Sequence, residues 1–343
     1  MLRVRVEDVS QAGEARRMAV PFCRDLGFSD LDIGQVALLV TEAATNLAKH
    51  AREGEFLLRS LERGGVTGVE LLFIDRGPGM SNPSRSLADG FSTSGSPGTG
   101  LGALQRNSSA FDLFSEPGKG TVVACRYWAG SLPSDVPPGW LEIGAVCLPM
   151  TDGEPCGDAW AARQTASTSL LLVCDGLGHG LLAAEASRTA ERLFCESRSE
   201  GPAEIVEALH RGLRSTRGAA LAVLAADHAG GTVTYCGIGN IGARIVSGDE
   251  ERHLVSLHGT AGERASKARE FSYPWPEGSL LVVHSDGLVT SWRTSAYPGL
   301  AGRHPSVVAA VLYRDFKRGR DDTTVLVVRR RAPGPVAREE EAP

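Results

Sequence analysis

The sequence is short of several things, and each shortage excludes a class of protein. No apolar run approaches the roughly 18 residues needed to span a bilayer, so membrane insertion is not expected. The most apolar stretches, residues 170–174 and 219–226, have the length of single core strands. Basic charge is not in excess: 36 Lys and Arg against 41 Asp and Glu leave a net charge of −5, which argues against a nucleic-acid surface. The seven cysteines include no C-x-x-C spacing. An odd, scattered set suggests free thiols in a reducing compartment, not a disulfide framework or a structural zinc. The N-terminus, Met1-Leu-Arg-Val-Arg-Val6, alternates apolar and charged residues as a strand does and lacks the apolar core of a signal peptide. A cytoplasmic location is the expectation.

What is present suffices for two cores. The chain has 343 residues, 42% hydrophobic and 22% charged, which is ordinary for globular protein and long for one domain. Residues 130–139 hold three prolines and two glycines, a composition that continues neither a helix nor an interior strand. The spacing therefore predicts one domain over 1–129, a linker over 130–139 and a second domain over 140–331. Residues 332–343, with Pro, Gly and a Glu triplet, read as a disordered tail.

In the first half, residues 30–52 read as a helix whose buried stripe is Ile33, Val36, Ala37, Val40, Ala44 and Leu47. Glu42 and Asn46, four apart, share a face directed away from that stripe. The Asn46 amide oxygen can ligate Mg2+ and the Glu42 carboxylate can take a proton from an attacking hydroxyl. The strand Val69-Glu-Leu-Leu-Phe-Ile-Asp75 runs into Arg76-Gly-Pro-Gly-Met80, so Asp75 can accept from a base amino group while glycine lets the backbone come close. Gly95-Ser-Pro-Gly-Thr-Gly-Leu-Gly102 leads into a helix over 101–109, where freed N–H groups make a phosphate cradle.

In the second half the repeated theme is a carboxylate where an apolar strand meets a turn. Asp158 follows a strand over 141–147, and Ser169-Leu-Leu-Leu-Val-Cys174 ends in Asp175-Gly-Leu-Gly-His-Gly180 before an Ala-rich helix over 181–192. A strand over 279–285 ends in Asp286-Gly287, and Asp321-Asp-Thr-Thr324 enters a strand over 325–329. Acids gathered on one sheet edge repel, and a pair of hard divalent cations with oxygen ligands resolves this. Two such cations can supply an attacking hydroxide, so no Ser or Cys nucleophile is needed. His179 can orient substrate or water, or shape its loop. Spacing does not decide between Asp321 and Asp322.

These motifs resemble two families. Glu42…Asn46, Asp75-x-Gly77-x-Gly79 and Gly98-Thr-Gly-Leu-Gly102 look like the N, G1 and G2 boxes of GHKL ATPases. The domain is most similar to the RsbT/RsbW serine kinases, and the segment Phe111-Asp-Leu-Phe-Ser-Glu-Pro-Gly-Lys-Gly-Thr121 to the RsbT side in particular. Sensor histidine kinases share the superfamily, but residues 1–29 contain no His, so transfer to a partner's Ser or Thr is preferred. The resemblance implies an α+β chain that opens with a Bergerat α/β sandwich and a mobile lid near residues 81–99. It implies ATP with Mg2+ as cofactor, Asn46 on the Mg2+, Glu42 as base, and Asp75 on adenine. Gly77, Gly79, Gly98, Thr99, Gly100, Leu101, Gly102 and Thr121 would surround the nucleotide.

Gly157-Asp158, Asp175-Gly-x-Gly-His-Gly180, Ser285-Asp-Gly287 and Asp321-Asp-Thr-Thr324 resemble the SpoIIE/RsbX branch of type 2C-like Ser/Thr phosphatases, with Tyr235-Cys-Gly-Ile-Gly-Asn240 at that family's central turn. That likeness implies an α-β-β-α sandwich and two Mn2+ or Mg2+ ions held by Asp158, Asp175, the Gly176 carbonyl, Asp286 and, by family order, Asp321. The same likeness implies Asp175 as the catalytic residue of this set. The implied partner is a STAS-domain phosphoprotein or a sigma factor in stress signalling, with a homodimer open. Three readings of the first half stay open: a kinase opposing the phosphatase, a module that only binds ATP and a partner, or one whose ATP occupancy is an allosteric input to the phosphatase.

Overall fold

A computed structural model describes residues 1–87, 100–132, 141–165 and 167–330. Its backbone divides into two compact units. One comprises Met1–Pro137 with Tyr297–Lys317, the other Pro138–Ala296 with Arg318–Pro343.

The first unit begins with β1 (Leu2–Arg5), α1 (Val9–Asp25), α2 (Asp30–His50), β2 (Glu55–Arg63) and β3 (Val66–Ile74). It continues through α3 (Pro83–Leu87), α4 (Gly100–Asn107), β4 (Ala110–Glu116) and β5 (Gly120–Trp128). The strands form one antiparallel sheet in the order β1-β2-β3-β5-β4. Helix α2 starts where the Ser29 hydroxyl accepts from Asp32 N, with acids in its first turn and Lys49 and His50 in its last. It stops two residues short of the predicted 52, because Ala51 turns extended. Val36, Val40 and Ala44 pack on Phe56, Leu71 and Phe73 of the sheet. The lid expected near 81–99 is described only through α3, so Gly98 and Thr99 lie outside the described residues.

The second unit holds β6 (Leu141–Leu148), β7 (Asp158–Gln164), β8 (Thr168–Gly176), α5 (Leu181–Glu196), α6 (Pro202–Gly212) and β9 (Ala219–Asp227). After these come β10 (Thr232–Ile238), β11 (Gly242–Ser247), β12 (Glu250–His253), β13 (Phe271–Pro274), β14 (Leu280–His284) and β15 (Thr323–Arg330). Two five-stranded sheets result, β13-β10-β9-β8-β7 and β12-β11-β14-β15-β6. Leu171, Val173 and Leu224 of one meet Val283, Leu326 and Val328 of the other in a shared core. Helices α5 and α6 cover the outer face of the first sheet through Ala186, Ala190, Phe194 and Ile205.

One element departs from a division at residues 130–139. Helix α7 (Pro305–Phe316) lies late in the predicted second domain, yet it packs on β3, β4 and β5 of the first unit. The cause is visible in the pleat. Val69, Leu71 and Phe73 face α2, so alternation sends Glu70, Leu72 and Ile74 to the opposite face. There Glu70 is fully buried between Arg59 (2.6 Å) and Arg126 (2.8 Å), and Ser306 of α7 donates to it at 2.5 Å. Burial penalises this carboxylate, but the two guanidinium charges outweigh that and hold it down at about 2. Arg3 reaches Tyr313 OH at 3.1 Å, and Lys317 pairs with Glu55 at 2.7 Å. Among the described residues no helix is long and apolar enough to cross a membrane.

Candidate nucleotide and metal sites

In the first unit, α2, the end of β3 and the start of α4 enclose a cavity of about 450 Å3. Asn46 lines it from α2, Asp75 and Gly79 from the segment after β3, Gly100 and Leu101 from α4, and Thr121 from β5. The Asp75 carboxylate accepts from Gly77 N at 2.6 Å, so Gly77 acts by fixing Asp75 and does not itself line the cavity. Burial pushes the Asp75 carboxyl above its usual range, and the Gly77 N–H partly offsets this. Gly79 has φ +67°, and a Cβ there would overlap the Glu116 carbonyl, so this turn requires glycine. A Cβ on Gly100 would come within 2.8 Å of Asn46 Nδ2, which brings the start of α4 against the α2 amide. Gly102 is buried within α4.

Glu42 is half-buried one turn from Asn46 and is not among the residues lining the cavity. His50 and Arg85 do line it, and the sequence reading passed over both. The signal for His50 was available, since it stands one further turn along the face carrying Asn46. Beside these polar groups the cavity is lined by the apolar side chains of Leu47, Phe73, Leu104 and Val123. That combination suits an apolar base carrying a charged tail.

In the second unit, Asp158 and Asp175 are paired directly across the β7–β8 ladder, and Gly176 N donates to Gly157 O at 3.0 Å. Like charges in that register repel. Ser285 Oγ donates to Asp158 Oδ2 at 2.6 Å and accepts from Thr324 N at 3.0 Å, tying β14 and β15 to β7. Asp286 accepts from Asn240 Nδ2 at 2.8 Å. Burial, followed by the Asp175 charge, holds the Asp158 carboxyl well above the carboxylate range. Burial and then the charges of Asp286, Asp321 and Asp322 push Asp175 up to about 8. Asp286 is raised by burial and by Asp321, with Arg318 opposing.

Asp321 and Asp322 differ in what they touch. Both Asp322 oxygens are taken by backbone donors, Met150 N and Gly157 N, each at 2.6 Å, and the residue is buried. Asp321 is half-buried, its carboxylate accepts from Asp322 N at 2.9 Å, and it acts electrostatically on Asp175 and Asp286. Among the described residues no three Asp, Glu, His or Cys side chains close on one point as a cage would. The donor set still fits hard divalent cations. It is all oxygen, Asp158, Asp175 and Asp286 are raised by burial and by neighbouring acids, and such ions keep several waters in place of protein ligands. Gly176, whose carbonyl the sequence resemblance assigns to this site, follows Asp175 at the end of β8. A Cβ at Gly176 would overlap the Ala183 carbonyl, so the first turn of α5 presses directly upon it. His179 is exposed on the loop between. Ser285 and Asn240 lie within the sequence motifs, and only the folded structure gives them a role. Their contacts with Asp158 and Asp286 join segments 127 and 46 residues apart.

Comparison with known proteins finds separate likenesses for the two parts of the chain. Residues 6–126 match the family model of the histidine kinase-like ATPase domain, and residues 165–331 match that of stage II sporulation protein E. Serine/threonine-protein kinase RsbT of Bacillus subtilis (strain 168) is 31% identical over 114 residues, 33% of this chain and 86% of that protein. Phosphoserine phosphatase RsbX of the same organism is 28% identical over 134 residues, 39% of this chain and 67% of that one. A chain from the solved structure described as "The bacterial stressosome: a modular system that has been adapted to control secondary messenger signaling" is 30% identical. It aligns with a TM-score of 0.51 over 55% of this chain and 99% of its own.

Proposed function

We propose that this chain, which belongs to the RsbT family of histidine kinase-like ATPases through residues 6–126 and carries a SpoIIE/RsbX-like phosphatase domain behind them, controls the phosphorylation of Ser or Thr in a regulatory protein from both directions. The observation that carries the phosphatase half is the direct pairing of Asp158 with Asp175 across the β7–β8 ladder, with the charges of Asp286 and Asp321 bearing on Asp175, a repulsion that a pair of divalent cations would relieve.

Asp158, Asp175, the Gly176 carbonyl, Asp286 and Asp321 would hold two Mn2+ or Mg2+ ions. Ions bound there would neutralise the cluster and supply an ionised water for attack on phosphorus. Ser285 holds the Asp158 carboxylate in place, Asn240 holds that of Asp286, and Asp322 anchors the Met150 and Gly157 backbone beneath them. In the other half, Asp75 would accept from the adenine amino group, Asn46 would ligate ATP-bound Mg2+, and Glu42 would take the proton of the attacking hydroxyl. The backbone of Gly98, Thr99, Gly100, Leu101 and Gly102 would cradle the phosphates, with Gly77, Gly79 and Thr121 shaping the base end. A STAS-domain phosphoprotein, or a sigma factor, is the partner this reading names, and the likeness to a stressosome chain supports it.

The test is phosphate release from a phosphoserine protein with Mn2+, Mg2+ or EDTA, comparing the wild type with Asp286→Asn. Release that needs the metal and disappears in the variant supports the reading; release that persists in EDTA defeats it. A second reading rests on Glu42 standing off the cavity lining: the first unit binds ATP and its partner without turnover. Glu42→Ala separates the two, since a kinase loses transfer and a binder keeps partner affinity.

A further inference from the structure

The first turn of α5 is built inside out. Its core-facing positions are Ala183, Ala184 and Ala186, all fully buried, while the bulky Leu181 and Leu182 are 68% and 51% exposed. The small residues face inward because the turn must sit directly on the floor of the metal site. A Cβ on Gly157 would lie 2.9 Å from Ala183 Cβ, and one on Gly176 would overlap the Ala183 carbonyl. Nothing in that packing asks for leucine on the outer side. Leu177, 40% exposed, follows directly on Asp175-Gly176. Three of the eight exposed large apolar side chains among the described residues therefore fall within seven positions of Asp175. Isolated exposed leucines are common, whereas a cluster beside a reactive centre marks a contact surface.

The same loop carries a cation. Leu177 N donates to Gly218 O at 3.0 Å, and Arg217 Nη1 lies 3.1 Å from where a Cβ of Gly178 would be. Arg217 is exposed and, among the described residues, has no carboxylate partner. A guanidinium left unpaired at the edge of an acidic cluster suits an oxyanion that arrives with the substrate.

We propose that Leu177, Leu181 and Leu182 form a specificity rim for apolar residues flanking a phosphoserine, and that Arg217 receives the phosphate oxygens. The proposal rests on the phosphatase reading above and names the substrate class of that site: a phosphoserine segment with apolar neighbours. Continuity with the metal floor decides the occupant, because a phosphoserine reaching Asp175 must bring its own neighbours across Leu177 and the first turn of α5.

The experiment measures binding apart from turnover. Fluorescence anisotropy in Mn2+ compares two peptides carrying a non-hydrolysable phosphonate mimic of phosphoserine, one flanked by Leu and Val and one by Ser and Asn. The intact wild-type chain should prefer the apolar peptide about tenfold, as expected for partial burial of two or three side chains. In the Leu181→Ser/Leu182→Ser double variant the preference should fall to about twofold or less. Arg217→Ala should weaken both peptides about tenfold alike, with Arg217→Lys recovering part of the loss. No preference in the wild type, or one that survives the double variant, overturns the rim. Equal binding before and after Arg217→Ala overturns the phosphate role. A dimer of the free chain that the leucine replacements dissociate would assign this face to a second copy, and so also overturn the proposal. Wild-type turnover of p-nitrophenyl phosphate is followed in parallel. Preference without turnover defeats the phosphatase reading and leaves the rim standing; turnover without preference does the reverse.

Discussion

The two sites are opposites in how they are held before any ligand arrives. The cavity between α2 and α4 is a finished piece of protein: Asp75 is closed by the Gly77 N–H, Ser115 meets Thr121 at 2.9 Å, and apolar side chains complete the wall. The acid cluster of the second unit is unfinished: Asp158 and Asp175 oppose each other across a ladder, with Asp158 raised by burial and the Asp175 charge and Asp175 by burial and the charges of Asp286, Asp321 and Asp322. A site of the first kind gains little stability from its ligand beyond binding itself. One of the second kind stores repulsion that a cation releases. The difference teaches that sheet rigidity can serve either purpose, to shape a pocket or to hold like charges together.

The comparison breaks most visibly through the cluster. Asp175→Asn should lower metal-dependent phosphate release roughly 1000-fold while ATP affinity, by calorimetry, stays within about twofold. Loss of both would mean that the sites are not separately built. Glu70→Gln should come next, costing on the order of 3 kcal/mol at pH 7, because Arg59 and Arg126 would be left buried without a counter-charge. Its pH dependence has a definite sign. The folded-state pKa lies below the unfolded value, so the stabilisation is complete above about 4.5 and disappears as pH falls through about 2. Wild type and variant should therefore converge in urea melts run towards pH 2. Asp75→Asn should weaken ATP binding by roughly 10- to 100-fold and leave phosphate release unchanged, and a fall in release would reveal coupling between nucleotide and phosphatase. The smallest effect sharpens the contrast: saturating Mn2+ should raise the wild-type melting temperature by a few degrees and raise that of Asp175→Asn by less.

Much of this was written locally in the chain and could be read there. Asn46 stands on a periodic helix, and Asp75, Asp175 and Asp286 each close an apolar strand at a glycine turn; the local runs place such positions, and the likeness of the motifs to known families gives them their roles. Residues whose role depends on a distant segment were out of reach. Asp321 and Asp322 look alike in sequence. The structure separates them by where two backbone N–H groups 172 and 165 residues away happen to point. Asn240 and Ser285 gain their meaning the same way. Helix α7 shows the limit most clearly. Its run Val307, Val308, Val311 and Leu312 announces a buried helix, and nothing in the run says against which sheet.

That placement has a consequence for how the protein comes into being. The polypeptide enters the first unit, leaves it at residue 137, builds most of the second, returns at 297 and departs again at 317. A nascent chain emerging from the ribosome can lay down the five-stranded sheet early, but the face carrying Glu70 waits for Ser306 through the synthesis of more than 160 further residues. The two units are thus interleaved in one thread. An excised N-terminal fragment would carry every residue assigned to the nucleotide and still be an unsealed protein.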